Sequence, residues 1–598
     1  MHTSMATVSL SGTLTEKLAA VARAGFGGVE IFENDLLACP LAPEEIRARC
    51  ADLGLSIDLY QPMRDIEGVP DEVFVHNLRR ARHKFELMNR LGADTVLVCS
   101  SVSPNAVDDD ARAAGQLAQL ADLAGEFGIR VAYEALAWGR HVNTYGHAWR
   151  IVEAADHPAL GVCLDSFHIL SRGSEPEDLE GIADIPGEKI FFLQLADAPL
   201  LAMDVLQWSR HYRCFPGQGG FDVTGLLRRV LAAGYRGPLS LEVFNDVFRQ
   251  ADAGPTAVDA HRSLLLLREA AGAAELPPPV VPTGVAFAEL LTPDAEPVTA
   301  LLTALGFTRA ARHRGKPVDL WQRGEARLLV NTAATARRDG TRLAAIGLES
   351  PDPAAAARRA EALLAPVLPR RRAPGDAPLD AVAAPDGTEL FFCATGDPEL
   401  PDWRADFADL PDTPAPSAMR IDHLALTQPW HHFDEATLFH RSVLGLTAQE
   451  SVDVADPYGL MRSRAVTNAD GSVRIALGVG AAPTDDTVHA AHIALATDDV
   501  VAAARAFRAA GGRLLPVPAN YHDDLAARYD LADDELETYR ALGILYDRDA
   551  GGAFRHCYTE TVGRVFFELV QRDDGYRGYG AANAPVRLAA QHAGRFLR

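Results

Sequence analysis

ARAAGQLAQLADLAGEFGIRVAYEAL, residues 111–136, runs from helix-spaced alanines and leucines through a glycine able to end a helix into the apolar strand IRVAYEAL (129–136). The same helix-then-strand passage recurs on both sides. Apolar strand-like runs stand at ATVSLS (6–11), GGVEIF (27–32), LSIDLY (55–60), TVLVCS (95–100), LGVCLDSFH (160–168), KIFFLQLAD (189–197) and GPLSLEVF (237–244), with amphipathic segments such as VFVHNLRRARHKFELMNRLGA between them. This alternation predicts parallel strands joined by crossover helices, and eight units in about 270 residues predict an α/β chain that opens with a (β/α)8 barrel over 1–275. The first strand is not followed by G-x-G-x-x-G, which disfavours a doubly wound sheet.

Outward from the barrel, LPPPVVPTG (276–284) holds four prolines and is expected to be a stiff, extended linker. Beyond it, residues 285–598 form a second, α+β domain. VAFAELLT, LLTALGFT and a closing TELFFC are echoed by IDHLALT, FHRSVLGLT and a closing VFFELVQR, which predicts paired βαβββ modules at about 285–400 and 419–580. DLPDTPAPSA (409–418) separates them, and PVLPRRRAPGDAP (366–378) is read as a solvated loop.

At 598 residues the chain is long enough for several cores, and 48% hydrophobic with 23% charged residues excludes wholesale disorder, a collagen-like repeat and a coiled coil. The net charge of −24 opposes both nucleic acid and an anionic bilayer as partners. Seven scattered Cys, without CxxC, argue against a disulfide framework. With no signal-like start, the expected location is the cytoplasm. The partners expected are a small-molecule carboxylate and further copies of the chain in a homo-oligomer.

Barrel chemistry belongs at the C-terminal ends of the strands. Four consecutive apolar strands carry a polar residue there: Glu134, Asp165, Gln194 and Glu242. Three converging carboxylates repel one another unless a cation joins them, so these four residues are expected to hold a divalent metal. An oxygen-only set favours Mg2+ or Mn2+, with Co2+ possible, over zinc. His168 follows Asp165 by three residues and is the candidate general base or a further ligand. Tyr60 and Arg64 after strand three, and Ser209 and Arg213 after strand seven, are candidate substrate-binding residues, an Arg being suited to clamp a carboxylate. In the C-terminal half His423, His492 and Glu568 form a two-His, one-carboxylate facial set for a second divalent metal. Pairing the modules by sequence puts Phe287, Ala345 and Cys393 at the corresponding positions, so one module alone can bind metal.

The Glu/Asp/Gln/Glu pattern, with DSFH and PGQG, resembles the sugar phosphate isomerase type of xylose isomerase-like TIM barrel over roughly residues 5–270. IDHLAL, AAHIAL and FELVQR resemble the 4-hydroxyphenylpyruvate dioxygenase-like members of the vicinal oxygen chelate superfamily, although GYGAANAPV has Ala584 where true dioxygenases carry an aromatic residue. The two together resemble the two-domain bacterial 3-dehydroshikimate dehydratases over nearly the whole chain. That resemblance implies dehydration of 3-dehydroshikimate to protocatechuate in quinate and shikimate catabolism. The competing expectation is a sugar or inositol isomerase/epimerase, with the C-terminal half a binding or assembly module.

Overall fold

The computed structural model describes residues 1–598 apart from 174–175, 334–339, 370–375, 378, 395–398, 401, 409–416, 481–489, 574 and 597–598. It comprises two compact units, Met1–Glu275 and Leu276–Arg598.

In the first unit β1 (Thr3–Ala6), β2 (Gly28–Phe32), β3 (Ser56–Met63), β4 (Thr95–Cys99), β5 (Arg130–Glu134), β6 (Leu160–Asp165), β7 (Ile190–Leu195) and β8 (Leu239–Leu241) form a closed barrel in chain order. All pairs are parallel, and β1 closes onto β8. The strands read as unbroken apolar runs because both faces are covered. Val29, Ile31, Val96, Val98, Val131 and Tyr133 join the core under the helices. Leu59, Leu97, Cys99, Ala132, Cys163 and Phe192 fill the interior.

Two strand expectations shift. ATVSLS was placed at 6–11, whereas β1 ends at Ala6 and Thr7–Ser9 is a 3-10 turn. Its hydroxyls explain this: Thr7 Oγ1 accepts the Phe32 N–H (3.1 Å) and Ser9 Oγ the Val243 N–H (2.9 Å), so side chains replace the ladder at the barrel mouth. DSFH leaves the strand after Asp165, whose carboxylate accepts the His168 N–H (3.0 Å) and N-caps the short helix Ser166–Leu170.

The second unit repeats one pairing scheme. Strand Gly284–Leu291 lies parallel to Ala326–Asn331 and antiparallel to Arg342–Glu349, which is parallel to Glu389–Cys393. Likewise Arg420–Thr427 lies parallel to Arg474–Val479 and antiparallel to Ala491–Ala496, itself parallel to Val565–Arg572. The proline-rich stretch is not a free spacer: the Pro277 carbonyl accepts from Arg359 Nη1 (2.7 Å) and the Pro282 carbonyl from Asn468 Nδ2 (3.0 Å). Most of the expected separator, 409–416, and the arginines of the 366–378 loop lie outside the described residues. Among the described residues no helix is long and apolar enough to cross a membrane.

Candidate metal centres

The barrel mouth brings Glu134, Asp165 and Glu242 together with His168, each at most 5% exposed. A ligand atom from each of Glu134, Asp165 and His168 lies within 4.8 Å of the others. The buried cation among the carboxylates is Arg213, itself 1% exposed. Its Nη1 donates to Asp165 Oδ2 (2.8 Å), Glu242 Oε2 (3.1 Å) and the Glu242 carbonyl (3.2 Å). Its Nη2 and Nε donate to Ser209 Oγ (2.8 and 3.2 Å), and Phe167 packs on the guanidinium at 4.6 Å. Asp197 shapes the loop that carries Arg213: its carboxylate accepts backbone N–H groups from Ala198, Gly217, Gly219 and Phe221. Gly217 is at φ +86°, and a Cβ on Gly219 would fall 2.3 Å from Asp197 Oδ1.

Charge is unevenly borne. Burial, then Asp165 and Glu242, push Glu134 well above the usual carboxylate range. Burial pushes Glu242 up to about 7 against the pull of Arg213. Burial acts on Asp165 too, but Arg213 and the backbone N–H of His168 outweigh it and hold Asp165 low. His168 is pushed down to about 3, chiefly by burial, and is neutral. Its Nδ1 faces the Ala137 N–H (3.1 Å), and its Nε2 faces Arg213 Nη2 (3.3 Å) and Glu134 Oε1 (3.9 Å). Glu134 Oε1 is buried without a hydrogen-bond partner. An orphaned carboxylate oxygen beside two further carboxylates and an imidazole fits a divalent cation.

Gln194 is tied down from below: its Nε2 donates to Glu30 Oε2 (2.6 Å), which also accepts from Gln61 Nε2 (2.8 Å). Burial, then Glu242, push Glu30 well above the usual carboxylate range, against the hydrogen bonds from Ser240, Gln194 and Gln61. Sequence reasoning missed Glu30 and Gln61. Glu30 carries the same signal as the others, one acid in an apolar strand.

Tyr60 is a correction. It is fully buried among the core side chains under the helices, with its hydroxyl beside Glu33 Oε1 (3.4 Å) and Lys84 Nζ (3.3 Å), and does not face the mouth. Neighbouring strand residues take opposite faces, so Gln61 rather than Tyr60 points inward. Ser209 is buried against Arg213, from which its hydroxyl accepts two hydrogen bonds. Arg64 is exposed and makes no hydrogen bond or ion pair among the described residues.

In the second unit His423 Nε2 and His492 Nε2 lie 3.0 and 3.2 Å from Glu568 Oε2, and 3.3 Å from each other. Outer partners fix each ligand. Asp422 Oδ1 meets His423 Nδ1 (2.7 Å), while Arg572 grips the Asp422 carboxylate with Nε and Nη2 at 2.7 Å each. Glu568 Oε1 meets His556 Nδ1 (2.6 Å), whose Nε2 accepts from Asn583 (2.9 Å). Burial pushes His492 down to about 4, leaving an imidazole lone pair. Three acceptors converging on one point fit a divalent ion.

The partner module differs, and the register corrects one correspondence. Ala494 pairs with Glu568 as Gly347 pairs with Phe391, so Phe391, not Cys393, stands where Glu568 does. Phe287 packs on Phe391 (5.9 Å) and Trp403 (4.9 Å), an apolar plug where the other module carries His423 and Glu568.

Residues 18–269 match the family described as xylose isomerase-like TIM barrel, 277–392 that of hydroxyphenylpyruvate dioxygenase, N-terminal, and 420–535 the glyoxalase/bleomycin resistance protein/dioxygenase superfamily. A 3-dehydroshikimate dehydratase of Pseudomonas putida is 45% identical across 100% of this chain and 99% of its own. One from Pseudomonas aeruginosa is 46% identical with the same coverage. The solved structure of a xylose isomerase-like TIM barrel/4-hydroxyphenylpyruvate dioxygenase fusion protein aligns with TM-score 0.88 at 43% identity, covering 100% of both chains.

Proposed function

The chain belongs to the 3-dehydroshikimate dehydratase family, and from that membership we propose that its barrel removes water from 3-dehydroshikimate to give protocatechuate. The observation that carries the site assignment is the convergence of buried Glu134, Asp165 and Glu242 on one mouth with His168 and Arg213. Glu134, Asp165, Gln194 and Glu242 are the residues that would hold a divalent metal, Mg2+ or Mn2+ before Co2+. Such an ion supplies positive charge that polarises the substrate ketone and acidifies the neighbouring C–H.

This chain's residues do the rest. His168 is neutral, so its imidazole holds one ring lone pair that can take the substrate proton once the Ala137 N–H releases it, and the Arg213 guanidinium beside Nε2 disfavours a resting imidazolium. The hydroxyl leaves as water with the proton that His168 took, and a second ring proton ends on the former ketone oxygen, which leaves the aromatic diol. Arg213 has its donors engaged with Asp165, Glu242 and Ser209, so its part is to orient the acids. Arg64, unpaired at the end of β3, is free to clamp the substrate carboxylate. Glu30 holds the Gln194 amide by its nitrogen and leaves the amide oxygen as the donor to metal.

A second reading of His168 has its own support: its ligand atom clusters with those of Glu134 and Asp165 as closely as a metal requires. Metal content of His168→Ala separates the two, since a base mutant keeps its metal and a ligand mutant loses it.

The test of the function is metal-stripped protein given 3-dehydroshikimate, with Mg2+, Mn2+ or Co2+ added back. Near-ultraviolet absorbance of an aromatic product is expected to appear only with metal. An isomerised, non-aromatic product would overturn the reading.

A further inference from the structure

Two thiols inside the barrel touch candidate metal ligands, and the mechanism above gives them no part. Cys99 ends β4 and pairs in register with Glu134 on β5. Cys163 stands two residues before Asp165 on β6 and so shares its inward face. Both belong to the interior cluster with Leu59, Leu97 and Phe192, and each is 3% exposed. The Cys99 Sγ–H donates to Glu134 Oε2 (3.3 Å), and the Cys163 Sγ–H donates to Gln194 Oε1 (3.5 Å).

These contacts make the ligand atoms unequal. Glu134 Oε2 is taken by a thiol, while Oε1 has no hydrogen-bond partner and faces His168 Nε2 at 3.9 Å. Gln194 is set at both ends, because its Nε2 donates to Glu30 Oε2 (2.6 Å) and its oxygen accepts from Cys163. Turning that amide over would bring its oxygen against the Glu30 carboxyl and its N–H groups against the thiol. A thiol is a weak donor, so it can decide which way a ligand points and still leave most of the oxygen's charge for a cation.

We propose that Cys99 and Cys163 are positioning residues of the barrel site, each thiol fixing one ligand so that Glu134 presents Oε1 and Gln194 its amide oxygen to a divalent ion. This rests on the metal set given above for the barrel mouth. Cys99 carries the larger share, since Gln194 is held by Glu30 as well.

The experiment uses the full chain carrying His423→Ala, which breaks the second cluster, and titrates the barrel with Mn2+ by calorimetry, a reading that needs no turnover. Cys99→Ala and Cys99→Ser remove the same sulfur, and only Ser returns a donor. Cys99→Ala should weaken Mn2+ binding about ten-fold or more, as loss of a ligand's outer partner does, and Cys99→Ser should restore most of it. The Cys163 pair should follow the same order with a smaller gap. Equal affinity in the Ala and Ser variants at both positions would mean that the sulfurs only fill space, and would overturn the proposal. So would Ala variants that bind Mn2+ as the parent does. The Mn2+ concentration giving half-maximal rate, measured with His423 intact, makes the same comparison even if the His423→Ala chain fails to fold. A parent with both thiols that binds no Mn2+ would remove the barrel metal and this proposal with it. Normal Mn2+ binding without aromatic product would count against the dehydratase reading alone.

Discussion

The two buried clusters handle charge in opposite ways. In the barrel, Glu134, Asp165 and Glu242 face one another and the protein puts a cation, Arg213, among them. In the second unit the cluster is two imidazoles and one carboxylate, and the further charges stand one layer out, where Arg572 grips Asp422 behind His423. A carboxylate-rich mouth with an internal guanidinium suits charge developing on a substrate during reaction. Imidazoles locked by outer partners suit steady retention of a metal. The contrast extends to the two modules of the second unit, where one strand scheme carries a metal set once and an aromatic plug of Phe287, Phe391 and Trp403 the other time.

The sharpest way to break this contrast is Glu134→Ala. It removes one of the acids that would hold the divalent ion while Arg213 still pairs with Asp165 and Glu242, so barrel metal and several orders of magnitude in rate should be lost. Metal per chain and aromatic product formation measure it, and full activity in metal-free variant protein would end the barrel assignment. His168→Ala comes next: with the barrel metal kept, turnover should fall by roughly 10²–10⁴-fold, the usual worth of a positioned base. Arg64→Lys retains charge but loses the two-donor fork, and should weaken substrate engagement by about 1–3 kcal/mol, read as KM rising more than kcat falls. An unchanged KM would remove Arg64 from carboxylate binding. The smallest effect on dehydration is expected from His423→Ala, which should empty the second site of metal while the rate per folded barrel persists. A background rate in that variant, folded and with barrel metal intact, would mean the two sites share one mechanism.

Much of the site was legible because an acid in an apolar strand is costly unless it is used. That rule picks out Glu134, Asp165 and Glu242, and applied to GGVEIF it would have added Glu30; Gln194 is the uncharged case of a polar side chain buried in a strand. Tyr60 and Gln61 were not separable in this way. Pairing of β3 shifts register against β2 between Val29 and Glu30, and against β4 between Tyr60 and Met63. Leu59, Tyr60 and Gln61 still alternate in, out and in, so what the sequence lacks is the phase of the alternation rather than the alternation itself. Arg213 was read as a substrate clamp because its partners, Asp165 and Glu242, lie 48 and 29 residues away.

By itself the sequence determined the order of eight strands and helices, the repeated modules after residue 284, and the residue types able to hold metal at two places. These follow from local spacing and from the cost of burying charge, both of which act along the chain. Tertiary structure alone decided which face of β3 is inside, that DSFH coils into a helix capped by Asp165, that Phe391 rather than Cys393 stands opposite Glu568's role, and that Arg213 answers the barrel acids. Each depends on register and on contacts between distant segments, where a shift of one residue turns a side chain to the other face.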